Sequence, residues 1–287
     1  MSEEFPARLG PVDRRRLLAL MLAAGVSLPA AAQRATADGE ALRNPLLWAL
    51  AWQQTAAEFE ALCYQAYCLA RLRVDQALAA HGSGDRPLAI ITDIDNTVLH
   101  ANSYWAYLAS EDRDFFDDAI WDDWVPENLM TPVPGALDFL RDCTDKGVAV
   151  FYVTSRDQGE RTFDYALGQL QALAFPQADA EHLYVFRDTS DKTPARQEIA
   201  ARYDVAVLLG DNLNDFRRDY YVADVAERKA LMRRDRDEWG AKFILLPNPT
   251  DGHWVRAIFG ESEPAATDAN RRRLKSAATR GAWDGRS

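Results

Sequence analysis

The chain has 287 residues, 48% of them hydrophobic and eight of them tryptophan, which is enough apolar material for the cores of one or two domains. Its formal net charge of −11 argues against a general nucleic-acid binder, which needs a basic face. A small anionic substrate stays compatible with that charge, because a bound cation reverses the local field of an acidic site.

Arg14, Arg15 and Arg16 precede the apolar run "LLALMLAAGVSL" and then "PAAAQ", with small residues at Ala30 and Ala32. A positive segment, a short apolar stretch and small residues read as a cleavable export signal over residues 1–32. The run is too short to span a bilayer, and the paired arginines fit either twin-arginine or general secretion. The expectation is therefore an exported protein. Cys63, Cys68 and Cys143 are an odd set without metal-ligand spacing, and buried free thiols are the expectation.

Residues 33–86 read as an N-terminal helical segment. Asn44 can cap it and Pro45 suits a first turn, while Leu46, Leu47, Leu50, Phe59, Leu62 and Tyr67 recur at helical spacing toward His81. A core follows over residues 87–260. Its first strand, "LAIIT", ends on Asp93-Ile94-Asp95. Residues 100–132 are aromatic and acidic with no strand pattern, as expected of an inserted helical cap. Pro134 and Gly147 bracket a helix, and "VAVFYV" then closes on Thr154-Ser155-Arg156. A helix over 157–173, the strand "LYVF", a helix after "DTSDK", the strand of "VAVLLGDNLNDF" and the later strand "FILLPN" continue the alternation. That alternation predicts an α/β fold, a doubly wound parallel sheet. Residues 261–287 read as a charged C-terminal helix or tail.

In open α/β sheets the chemistry lies at the carboxyl ends of strands. Those ends carry Asp93 and Asp95, then Thr154 and Ser155, then Asp211 and Asp215, with Lys192 at a helix start. Carboxylates placed together at the end of a buried strand repel one another, and burial adds to the cost. As a set they make a hard-oxygen site suited to Mg²⁺. Lys192 adds a second positive charge and Thr154 a hydroxyl donor, a combination that suits a phosphate group. Singly, each has an ordinary explanation: a turn, a surface lysine, a helix cap. Their order, each after an apolar strand or at a helix start, is harder to explain structurally.

The motifs "DIDNT", "VTS", Lys192 and "GDNLND" resemble those of the haloacid-dehalogenase superfamily of phosphohydrolases. "WALAWQQTAAEFEALCYQAY", "WDDWV", "PVPGALDFL", "LPN" and "AWDG" extend the resemblance to bacterial class C acid phosphatases and lipoprotein 5′-nucleotidases. It implies a haloacid-dehalogenase-like core with a small helical cap, acting as a Mg²⁺-dependent phosphomonoesterase. Asp93 would be the nucleophile and Asp95 the general acid and base. Asp93, the Asp95 carbonyl, Asp211 and Asp215 would hold the metal; Thr154, Ser155 and Lys192 would bind phosphate, and Trp121 would face the substrate. Asp95 favours a phosphatase over a dehalogenase, which has no need of an acid there.

Two positions depart from that family. "SLPAAAQ" has no cysteine to lipidate, so no stable membrane anchor is expected, and for an exported chain the resemblance to bacterial phosphatases implies the periplasm. Asp251 stands where the nucleotidases carry an aromatic residue that stacks on the base, which leaves nucleotide preference open. Trp105 and Trp124 are expected to pack between cap and core. His100 and His182 should be surface or hydrogen-bonded, with His253 a candidate for the substrate edge. The expected partner is a small phosphorylated substrate, an aryl, sugar or nucleoside monophosphate, with homodimerisation open. The alternatives are a phosphotransferase acting on alcohols and a non-catalytic surface or storage protein.

Overall fold

The computed structural model describes residues 44–283. The export segment expected over residues 1–32 lies outside them, as does the end of the terminal "AWDG". The N-terminal helical stretch divides into α1 (Leu46–Thr55) and α2 (Ala57–Ala80), because Ala56 is extended with ψ of 122°. Cys63 on α2 is buried, whereas Cys68 is exposed, contrary to the expectation of buried thiols throughout. Five residues along a helix turn the second side chain away from the first.

β1 (Leu88–Thr92) is buried on both faces. The cap insertion leaves and rejoins the core through a two-residue antiparallel pair, β2 (Leu99–His100) with β3 (Thr131–Pro132), too short to show a strand period in sequence. Between them lie α3 (Asn102–Ser110), α4 (Asp118–Trp124) and a 3₁₀ turn over Val125–Glu127. The Tyr104 hydroxyl ties α3 to the start of α4, donating to the Asp117 carbonyl at 3.1 Å and accepting from its N–H at 2.9 Å.

The core continues with α5 (Ala136–Asp145), β4 (Ala149–Ser155), α6 (Thr162–Ala172), β5 (Leu183–Phe186), α7 (Thr193–Arg202) and β6 (Asp204–Gly210). α6 starts later than expected, because Gln158 N–H and the Gly159 carbonyl bond the Thr162 hydroxyl and close a turn first. The short α8 (Leu213–Phe216) and α9 (Val225–Arg234) follow, then β7 (Phe243–Leu245), α10 (Trp254–Phe259) and α11 (Asp268–Ala278). α9 gave no apolar period to read, since its one buried residue is Arg228.

The five core strands are parallel in the order β5-β4-β1-β6-β7. Successive side chains leave opposite faces. Ile90, Val150, Tyr152, Val207 and Leu209 therefore pack on one side with Tyr67, Phe139 and Leu170 from α2, α5 and α6. Ile91, Phe151, Val153 and Leu208 pack on the other with Ala195, Ile199 and Phe216 from α7 and α8. Helices thus cover both faces, and β1, flanked by β4 and β6, delivers its carboxyl end to the middle of the sheet's edge. No helix among the described residues is long and apolar enough to cross a membrane.

Candidate active site

Asp93 immediately follows β1, and its N–H extends the ladder to the Leu209 carbonyl at 3.0 Å. The chain then reverses: the N–H groups of Val98 and Leu99 both reach the Ile94 carbonyl at 2.9 Å, and Asn96 takes a left-handed φ of 55°. Asp211 follows the last residue of β6, and Asp215 sits one turn into α8. The two are drawn together at Gly210, where a Cβ would lie 2.5 Å from that of Asp215. Only glycine fits this approach.

Lys192, just before α7, bridges the acids. Its Nζ donates to Asp93 Oδ1 and, at 2.6 Å, to Asp215 Oδ1. The second Asp215 oxygen accepts from the Asn212 N–H at 3.0 Å, in a capping box that opens α8. The Thr97 hydroxyl reaches Asp211 Oδ1 at 3.2 Å and Asp93 Oδ2 at 3.4 Å, while Asn248 Nδ2 donates to Asp211 Oδ2 at 2.7 Å. Carboxylate oxygens of Asp93, Asp211 and Asp215 all lie within 4.8 Å of one another.

Burial raises the Asp93 pKa; Lys192 opposes the shift without cancelling it, and Asp215 and Asp95 reinforce it. Burial, then Asp215 and Asp93, raise Asp211 well above the carboxylate range. For Lys192 burial alone would lower the pKa, but Asp215 and Asp93 together prevail and hold the ammonium charged. One ammonium among three carboxylates leaves the cluster short of positive charge. An all-oxygen donor set converging on one point fits a hard divalent cation, which would supply it.

Asp95 has its own cation. Arg156, following β4, grips it with a two-pronged bond, Nε to Oδ2 and Nη2 to Oδ1, both at 2.7 Å. Gln169 on α6 holds the third guanidinium nitrogen at 2.6 Å. Sequence reasoning had assigned Arg156, Asn248 and Thr97 no role. The readable signal for Arg156 was a charge directly after a buried strand, beside an acid that needed a counter-ion. Thr154 Oγ1 donates to Asp95 Oδ2 at 3.3 Å. Ser155 Oγ donates to the Thr189 carbonyl at 2.6 Å, tying the end of β4 to the loop that carries Lys192.

Asp95 opens onto a cavity of about 220 Å³, walled by Trp105, Phe116 and Trp121 of the cap and by Asp251 and Glu263. Trp121 packs its ring against Tyr104, Trp124 and Phe116 at centroid distances of 5.0, 5.2 and 5.7 Å, and also lines the cavity. His253 also lines it, with Nδ1 2.8 Å from Ser262 Oγ. His100 lies elsewhere, buried beneath the cap and 3.3 Å from Gln53 Nε2. His182 is bonded to Asp179. The sequence-predicted residues Asp93, Asp95, Thr154, Lys192, Asp211 and Asp215 thus come together at one end of the sheet, with Ser155 and Trp121 on the adjoining cavity.

The arrangement has counterparts. The class C acid phosphatase from Bacillus anthracis is 29% identical and superposes with a TM-score of 0.74, the match covering 83% of this chain and 97% of that one. Its structure with tungstate bound matches over the same shares at the same identity, with a TM-score of 0.75. Residues 28–254 match the profile of the HAD superfamily, subfamily IIIB (acid phosphatase). A family match across most of the chain, over this fold and around this cluster, makes the chain a member of subfamily IIIB of the HAD superfamily, an acid phosphatase.

Proposed function

We propose that the chain hydrolyses small phosphomonoesters through a covalent intermediate on Asp93. The observation that carries this reading is the pairing of Asp93, buried and bonded to Lys192, with Asp95 two residues on, held apart from it by its own arginine. One carboxylate is free of proton duties and the other is aimed at the cavity. In the first half-reaction an Asp93 oxygen attacks phosphorus, the bond to the leaving oxygen breaks, and Asp95 gives that oxygen its proton. In the second, Asp95 takes a proton from water, the water oxygen attacks phosphorus, and the bond to Asp93 breaks to release phosphate.

Lys192 fixes Asp93 for attack and offsets negative charge gathering on the phosphoryl oxygens. Thr154 and Arg156 set the orientation of Asp95, and Ser155 holds the Lys192 loop in register. Asp93, Asp211 and Asp215, with the Asp95 carbonyl, would hold Mg²⁺. When bound, the ion would screen the phosphate from the carboxylates and polarise its oxygens. Trp121 offers an aromatic ring to the leaving group, a nucleobase included. The Bacillus anthracis protein binds tungstate, an oxyanion, which supports a phosphate-binding reading of this family member. The reading also carries export, with the mature chain beginning near Gln33.

The test is Asp93→Asn, assayed by phosphate release from 4-nitrophenyl phosphate. Turnover should vanish while circular dichroism stays native. A folded variant with substantial activity would refute Asp93 as the nucleophile.

A further inference from the structure

We infer that the leaving-group cavity is built for a positively charged alcohol, so that the preferred substrate class is the phosphomonoester of a small ammonium-bearing alcohol. The inference rests on the phosphatase reading above and names its substrate. Three kinds of group line the cavity beyond Asp95, and all three suit a cation. The first is an aromatic wall, Trp105, Phe116 and Trp121, the side-chain type against which ammonium groups bind. The second is a pair of carboxyl groups, Asp251 and Glu263, on the segment that follows β7. The third is Asn96, 4% exposed, whose Oδ1 faces no donor among the described residues.

No lysine or arginine among the described residues pairs with Asp251 or Glu263. Among the described residues the Gly252 N–H is the one donor bonded to the Asp251 carboxyl, at 2.5 Å. Arg156 is committed to Asp95 and Gln169, Lys192 to Asp93 and Asp215, and Arg218 to the Ser190 hydroxyl and the Tyr221 ring. His253 is no substitute, since burial lowers its pKa to about 4 and leaves it neutral. Burial raises Asp251 to about 6, and burial with the neighbouring Asp118 raises Glu263 to about 7. Both acids line the cavity, Glu263 hydrogen-bonded to the Asp118 carboxyl, and a cation entering beside them would favour their ionised forms. Asp95 at the catalytic end, and Asp251 and Glu263 with the rings of the cap, line the same cavity. A substrate with phosphate at one end and ammonium at the other matches this order. At about 220 Å³ the cavity suits an alcohol of a few carbons.

The test compares phosphocholine with 3,3-dimethylbutyl phosphate, its neutral carbon isostere, using 4-nitrophenyl phosphate as the general phosphatase substrate. Phosphocholine should show kcat/KM at least about tenfold above the isostere, the scale of a cation desolvated against aromatic rings and a carboxylate. In Asp251→Asn, and separately in Glu263→Gln, that ratio should fall to about threefold or less. Because the readout is a ratio within one variant, a loss of folded protein does not mimic it. On the wild type, choline should inhibit competitively and 3,3-dimethylbutanol should not. Equal rates for the two alkyl esters, or a faster isostere, would overturn the inference while leaving the phosphatase reading intact, and so would turnover of 4-nitrophenyl phosphate with neither alkyl ester cleaved. No turnover of any of the three would overturn the phosphatase reading itself.

Discussion

Replacing Arg156 with methionine should cost both stability and rate, and the structure sets the scale of each. The arginine side chain is 1% exposed and the Asp95 side chain 22% exposed, with two bonds of 2.7 Å between them. Removing one partner of a buried pair destabilises by about 3–5 kcal/mol, because the remaining charge loses its compensation. Water reaching the partly exposed Asp95 screens part of that loss, which lowers the expectation to about 2–3 kcal/mol. In urea unfolding this is a midpoint lower by roughly 1 M at an unchanged slope. Catalysis should suffer separately. Asp95 would be left with Thr154 alone to aim it, and a misplaced general acid loses on the order of 10²-fold in kcat. Arg156→Lys keeps a charge but not the fork, so it should recover part of the stability and less of the rate. The decisive control is Asp95→Asn: in that background Arg156→Met should cost less than half as much stability, since the charge it compensates is gone. An unchanged urea midpoint for Arg156→Met, or equal costs in the two backgrounds, would refute the assignment of Arg156 as the counter-ion of Asp95.

Dialysis against EDTA should stop phosphate release and lower Tm, and Mg²⁺ should restore both, since a cation relieves the three-carboxylate cluster; full activity in excess chelator would exclude the metal assignment. Gly210→Ala should destabilise by about 1–3 kcal/mol and abolish activity, because its Cβ would sit 2.5 Å from Asp215 and displace it from Lys192; near-normal kinetics would contradict that packing. His100 makes stability fall in acid. Burial lowers its pKa from 6.5 to about 4, so its contribution is complete above pH 6.5 and is lost as pH falls toward 4. Between pH 8 and pH 5 the loss is about 2 kcal/mol. Urea unfolding at the two pH values should show a smaller difference in His100→Gln, and an identical difference would rule out His100 as the source.

Much of the site was legible without coordinates. An apolar run that ends abruptly on acids, repeated at residues 93 and 211, is informative because burying a carboxylate is costly unless something compensates it. Alternating strand and helix patterns then determine a parallel sheet, and a parallel sheet gathers its strand ends at one edge. Asp93, Asp211, Thr154 and Lys192 were therefore placed together by local pattern and general topology alone. What local pattern cannot supply is which long-range partner each side chain meets. Arg156 and Asp95 are sixty-one residues apart, and Asn248 and Asp211 thirty-seven, so their bonds exist only once β4 and the segment after β7 are laid beside β1 and β6. Asp251 read in sequence merely as a missing aromatic ring. The folded chain sets it in one cavity with Glu263 and Trp121, with no lysine or arginine among the described residues paired to it, because a cavity is made by elements remote in sequence and its charge balance belongs to all of them at once.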